Sequence, residues 1–279
     1  MSSDTQTIKP DRIQGLTTGV KLLLAVNILI FAVAYFYNFR EAVELLGLHY
    51  FRSEEFRWYQ FITSMFMHGG VWHIAINMFV LWMFGSPLES IWHTGKFLLY
   101  YFICGLGASL IFLGASAWQL NSLEQEVEAY VSSPAYEDYA QFFEENIDPS
   151  AGDLYQRGEE LLNEWQANPD SQQYADESGQ IVQNFLDKYI DRPLVGASGA
   201  IYGILLAFGL IFPNVPVYIY FVFPMKSKYL VILLGALQLY LGWSGGEPGV
   251  ANIAHLGGML TGLVLLLIWG YQKREIERQ

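Results

Sequence analysis

Five polar side chains of this 279-residue chain sit where apolar sequence should not carry them. Ser198 falls five residues past Pro193 in one apolar stretch, and His255 five residues past Val250 in another. A third stretch, from Val71, carries His73 and Asn77 in its first turns, with His68 just ahead of it. Five residues are roughly 7–8 Å along a helix axis, which sets Ser198 and His255 at similar depth. An imidazole inside a membrane span is expensive unless it faces a cavity or a partner. Such groups can be hydrogen-bonded glue between helices, but three His, one Asn and one Ser at one level argue against that reading.

The chemistry these types can do is acyl transfer. Serine becomes a nucleophile when an adjacent base takes its proton, and His255 can take it and return it to a leaving amine. A tetrahedral oxyanion needs donors already in place. The Ser198 N–H, the Asn77 amide and the His73 imidazole are the available set. No acidic residue accompanies them at that depth, so a Ser-His dyad is expected. Tyr202, four residues after Ser198, shares its helix face and is placed to stack on the imidazole. His73 and Asn77 are likewise four apart. Gly196, Gly199 and Gly203 lie along the same region as Ser198, and Gly258 and Gly262 form a small-xxx-small pair beside His255. Small residues let backbones approach closely, as a short serine side chain reaching another helix requires.

Other hydrolytic chemistries fit less well. The sequence has no H-E-x-x-H for zinc and no pair of Asp residues inside apolar stretches, so neither a metal nor a cofactor is expected. His49 and His93 fall in loops and take no role. The single cysteine, Cys104, lies in an apolar run and reads as a buried small hydrophobe.

Composition names the elements that must position these groups. Hydrophobic residues make up 53% of the chain and charged ones 15%, well short of the quarter typical of soluble domains. A span needs about 20 apolar residues to cross a bilayer. Six candidates result: Val20–Tyr37, Val71–Trp92, Phe97–Trp118, Pro193–Phe212, Met225–Trp243 and Val250–Tyr271. Glu89 reads as interfacial at the end of the second. The first 17 residues are mostly polar and no small-residue cleavage pattern follows, so the first apolar run reads as a retained span.

Charge divides the chain. The net charge is −12, but residues 117–191 hold 17 of the 27 acids against only Arg157 and Lys188, a net of −15. Nothing offers the basic face that a nucleic-acid partner would need. Aromatic and aliphatic residues recur at helical spacing through this stretch, punctuated by Pro134, Pro149 and Pro169, so it reads as a water-soluble helical insertion. Lys and Arg in the N-terminal tail, the two-three and four-five turns and the C-terminus favour both termini inside. The expected domain organisation is a cytoplasmic tail (1–17), a six-span body (18–116 and 193–271), an extracytoplasmic insertion (117–192) and a second cytoplasmic tail (272–279). The glycine-containing loop 244–249 between the last two spans is expected to cap the site.

The motifs that carry these residues resemble one family. G-A-S-G-A-I-Y-G (196–203), A-H-L-G-G-M-L-T-G (254–262) and H-G-G-V-W-H-I-A-I-N-M (68–78) look like the three motifs of the rhomboid intramembrane serine proteases, in the right order on spans two, four and six. The resemblance covers roughly 200 residues. It implies an all-α, polytopic, six-transmembrane-helix bundle that cleaves transmembrane segments of single-span or polytopic substrates in a lipid bilayer, for instance a bacterial inner membrane. It implies Ser198 as nucleophile, His255 as base, and His73 and Asn77 as oxyanion donors. Tyr202 falls where the family packs a ring on the histidine, and His68 where it has a further polar residue. A non-catalytic relative that binds client helices is the alternative, but its usual sign, loss of the serine or histidine, is not met. The family often has Trp-Arg at the end of the first loop; here Tyr59-Gln60 stand there, which implies a different anchoring of that loop. Oligomeric state is not legible in the sequence.

Overall fold

The computed structural model describes residues 15–219, 222–243 and 249–271, with the backbone of 6–8 and 274–276. Eleven helices carry almost all of the described regular structure: α1 (Thr18–Tyr37), α2 (Phe39–Leu46), α3 (Gln60–Thr63), α4 (Val71–Val80), α5 (Ser86–Ser132), α6 (Tyr136–Asn146), α7 (Asp153–Ala167), α8 (Gln172–Ile190), α9 (Ser198–Ile211), α10 (Ser227–Trp243) and α11 (Gly249–Trp269). Two short ladders accompany them. Gln6–Ile8 (β1) pairs in parallel with Arg274–Ile276 (β4), and Pro216–Ile219 (β2) pairs antiparallel with Phe223–Lys226 (β3). The chain is an all-α integral membrane protein.

Its residues fall into two compact units. The first contains 1–51, 55–115 and 193–279; the second contains 52–54 and 116–192. Thr18–Tyr37 and Ala251–Trp269 of the first unit are long and apolar enough to cross a membrane, as is Val71–Ser132, whose residues from Ser116 on belong to the second; α9 and α10 are shorter apolar helices. The stretch from Val71 runs through a π-helical turn at Leu81–Gly85 and breaks at His93, where φ is 66°. That break gives the chain room to reverse between two crossings. Outward faces are apolar: Leu29, Val33, Ile232, Leu239, Leu267 and Ile268 are all more than half exposed. So extensive an apolar surface suits lipid and would aggregate in water.

Glu89 has a structural role that the sequence reading did not assign. It is buried, and its carboxylate accepts from Gly19 N at 2.7 Å, Val20 N at 2.9 Å, Thr94 Oγ1 at 2.6 Å and the Thr17 hydroxyl. The first N–H groups of a helix lack partners within it. Glu89 satisfies two of those of α1, Gly19 and Val20, and its charge complements the positive end of the helix dipole.

Two span boundaries also differ from the sequence reading. Span four begins as a helix at Ser198, not Pro193, because Gly196 takes a φ of 130° that breaks helical backbone. Span five begins at Ser227, since Met225 and Lys226 belong to β3.

The second unit packs the faces that the periodicity marked. Tyr139, Phe142, Leu154, Leu161, Trp165 and Val182 are buried in it. The Tyr130 and Ser178 hydroxyls bond one another at its centre, and burial pushes the Tyr130 phenol up to about 12. Arg157 serves three acids, with Nε 2.6 Å from Glu177 and the guanidinium also reaching Glu160 and Glu164. Burial and the nearby Glu145 raise the Glu126 carboxyl.

Candidate active site

Ser198 is the first residue of α9, and three tethers set the turn that leads to it. Leu48 and Leu194 exchange backbone hydrogen bonds of 2.9 and 2.8 Å, and Gly196 N donates to Ser64 O at 2.9 Å. The first loop that provides these partners is itself held by Gln60, which is 1% exposed. Its Oε1 accepts from Arg57 N and His49 N, and its Nε2 donates to Glu55 O and Leu45 O. A neutral amide thus anchors the loop where the family often has Trp-Arg.

α11 brings the base. His255 Nε2 lies 2.8 Å from Ser198 Oγ, and the Tyr202 ring stacks on the imidazole at 4.4 Å with 10° between planes. The two helices meet backbone to backbone. A Cβ added at Gly258 would lie 1.9 Å from Gly199 O, and one at Gly203 3.1 Å from Gly258 O. Gly258→Ala is therefore expected to force α9 and α11 apart. Overpacking of this kind costs about 1–3 kcal/mol, and contact with backbone puts this case at the upper end. Thermal unfolding should show the loss, and reactivity at Ser198 should fall with it.

α4 supplies the third wall. His73 Nδ1 accepts from Gly69 N at 3.3 Å, so in the neutral ring Nε2 carries the proton. A Cβ at Gly196 would stand 3.0 Å from that Nε2 and 3.4 Å from Ser198 Oγ; glycine leaves this space open. Asn77, one turn on, is 6% exposed, and its Nδ2 has no hydrogen-bond partner among the described residues. Buried donors are nearly always paired. His68 is fully buried and packs edge-on against His73, with 5.1 Å between ring centres. Ser198, His255, His73, Asn77, His68, Tyr202, Gly196, Gly199 and Gly258 are thus all drawn to one place, in the first unit. The loop expected to cap it lies largely outside the described residues.

One member has no counterpart in the sequence reading. Gln238, on α10, is 5% exposed. Its Oε1 lies 2.8 Å from His255 Nδ1, and its Nε2 donates to Tyr202 OH at 2.8 Å. The available signal was an amide in the middle of an otherwise apolar span. Among the described residues, no group of His, Cys, Asp and Glu could hold a metal ion.

A nucleophile–base contact, N–H groups at a helix start and the His73 and Asn77 donors of a neighbouring helix together can support acyl transfer. Known proteins agree on the family. The chain is similar to Rhomboid-like protein 11, chloroplastic, of Arabidopsis thaliana, 31% identical over 100 residues, or 35% of this chain and 34% of that protein. It is also similar to Rhomboid protease GluP of Bacillus subtilis (strain 168), 34% identical over 53 residues, or 19% of this chain and 10% of that protein. These matches span about a third of the first relative's length and a tenth of the second's. The family model of the Rhomboid domain matches residues 55–119 and 177–272, more than half of the chain, which belongs to the rhomboid family.

Proposed function

We propose that the protein is an intramembrane serine endopeptidase that cleaves transmembrane segments of other membrane proteins. The observation that carries this reading is the 2.8 Å contact between His255 Nε2 and Ser198 Oγ at the start of α9. His255 takes the Ser198 proton as Oγ attacks the scissile carbonyl carbon. The resulting oxyanion is held by the Ser198 N–H, His73 and Asn77. On collapse, His255 gives its proton to the leaving amine, and an acyl-enzyme ester remains on Ser198. Water, activated by His255, then releases the new carboxylate and restores the serine. The protease name of one relative adds support.

Incubating the purified full chain in proteoliposomes with a single-span model substrate tests this. The wild type should cleave it, and a fluorophosphonate should label Ser198; Ser198→Ala should do neither. A folded wild type that neither cleaves a panel of such substrates nor takes the label would overturn the reading.

The Lys and Arg distribution supports a further part of the proposal. Both termini are cytoplasmic and residues 117–192 are extracytoplasmic, as in a bacterial inner membrane. Protease added to spheroplasts should cut within 117–191; protection there would reverse the orientation.

A further inference from the structure

We propose that Gln238 is a positioning residue that holds His255 in the tautomer able to act as base; this rests on the roles of Ser198 and His255 proposed above. Gln238 is out of character for its helix. Along α10 the buried residues are Ser227, Val231 and Gln238, while Leu237 and Leu239 on either side are 45% and 62% exposed. A helix that turns its leucines outward turns this amide inward. Burial of an unpaired amide is strongly unfavourable, so such a group persists where both its ends are satisfied. Both are: Oε1 by His255 and Nε2 by Tyr202.

Donor and acceptor accounting gives the assignment. To take the serine proton, His255 must present a bare Nε2 to Ser198 Oγ, 2.8 Å away. The neutral ring then carries its proton on Nδ1, and something must accept it. Only the oxygen of an amide accepts, so Oε1 faces Nδ1, and the NH2 group is left to face the Tyr202 hydroxyl. The observed contacts have that arrangement. Turning the amide over would set two donors against each other at Nδ1 or force the other tautomer, whose Nε2–H cannot take a proton.

Gln238 also fixes the ring indirectly. Tyr202 covers one face of the imidazole, and the same amide that orients the ring in its plane holds the hydroxyl of the tyrosine that covers it. A glutamine does this without charge.

The test compares Gln238→Met, which keeps the length of the side chain and removes both hydrogen bonds, with Gln238→Glu, which keeps the acceptor. In the full chain, Gln238→Met should slow fluorophosphonate labelling of Ser198 and lower kcat by about 10- to 100-fold, the equivalent of one buried hydrogen bond lost. KM should hold, the rates being taken per folded molecule because two buried hydrogen bonds are lost, and Gln238→Glu should recover most of the rate. Nitrogen NMR of isotope-labelled histidine reads the tautomer whatever the activity: His255 should be protonated at Nδ1 in the wild type and mixed in Gln238→Met. An unchanged tautomer in Gln238→Met would overturn the assignment. So would wild-type labelling by that variant, failure of Gln238→Glu to recover the rate, or a fall in Tm that accounts for the lost rate in both variants. A folded wild type that shows the Nδ1–H tautomer but no labelling would instead sink the protease reading alone.

Discussion

His255→Ala is expected to abolish cleavage as completely as Ser198→Ala, by at least about 10⁴-fold, and the double replacement to do no further harm. Nucleophile and base act as one unit: without the imidazole, the serine keeps its proton and loses its nucleophilicity. Without the serine, the imidazole has nothing to deprotonate on the attack path. The single contact between Nε2 and Oγ is therefore counted once, not twice. Single-turnover cleavage of a model substrate by the three variants measures this. A His255→Ala protein within tenfold of wild type would show that another group activates the serine. A double variant far slower than either single one would show two independent contributions. Removing the ring also takes away the stacking partner of Tyr202, so Tm has to be followed to separate lost chemistry from lost packing.

How much of this was legible without coordinates depended on the kind of signal. Residues four apart on one helix project together whatever the tertiary fold, so Ser198 with Tyr202 and His73 with Asn77 could be paired from spacing alone. Amphipathic periodicity likewise marked the helices of the second unit, whose buried faces carry Tyr139, Leu161, Trp165 and Val182 as the pattern implied. Contacts between helices leave no such trace. Gln238 lies 17 residues before His255 in sequence and on another helix, and nothing in the local pattern says which neighbour its amide will meet. The partners of Glu89 were hidden for a similar reason. Nothing near a span end tells that the N-terminus of α1, some 70 residues earlier, docks on this carboxylate. The start of α9 was a local error. The apolar run was read from Pro193, but apolar composition does not say where in a run the helix begins. The positive φ of Gly196 sets that point, and the open space that glycine leaves between His73 and Ser198 explains why a helix break belongs there.

That open space is where the remaining large effect is expected. His73→Ala and Asn77→Ala should each slow turnover by about 10²–10³-fold, the usual consequence of losing one oxyanion donor. The three donors differ in how firmly they are committed. The Ser198 N–H belongs to the first turn of α9, where backbone N–H groups have no partner within the helix and the dipole favours negative charge. His73 is held to an Nε2–H donor by the bond that its Nδ1 accepts from Gly69. Asn77 projects from the same face of α4 as His73, one turn on, and its Nδ2 bonds to no described residue. Two consequences distinguish this from a structural role. Asn77→Ala should lower the rate per folded molecule, whatever its change in Tm. KM should also change little, because the donors act on charge that develops after substrate binds. With Ser198 N–H still present, the double variant should lose less than the product of the two single effects. Rates near wild type for both single variants would make His73 and Asn77 packing residues. A large fall in Tm for Asn77→Ala, with kcat intact per folded molecule, would place that amide in the fold and not in the chemistry.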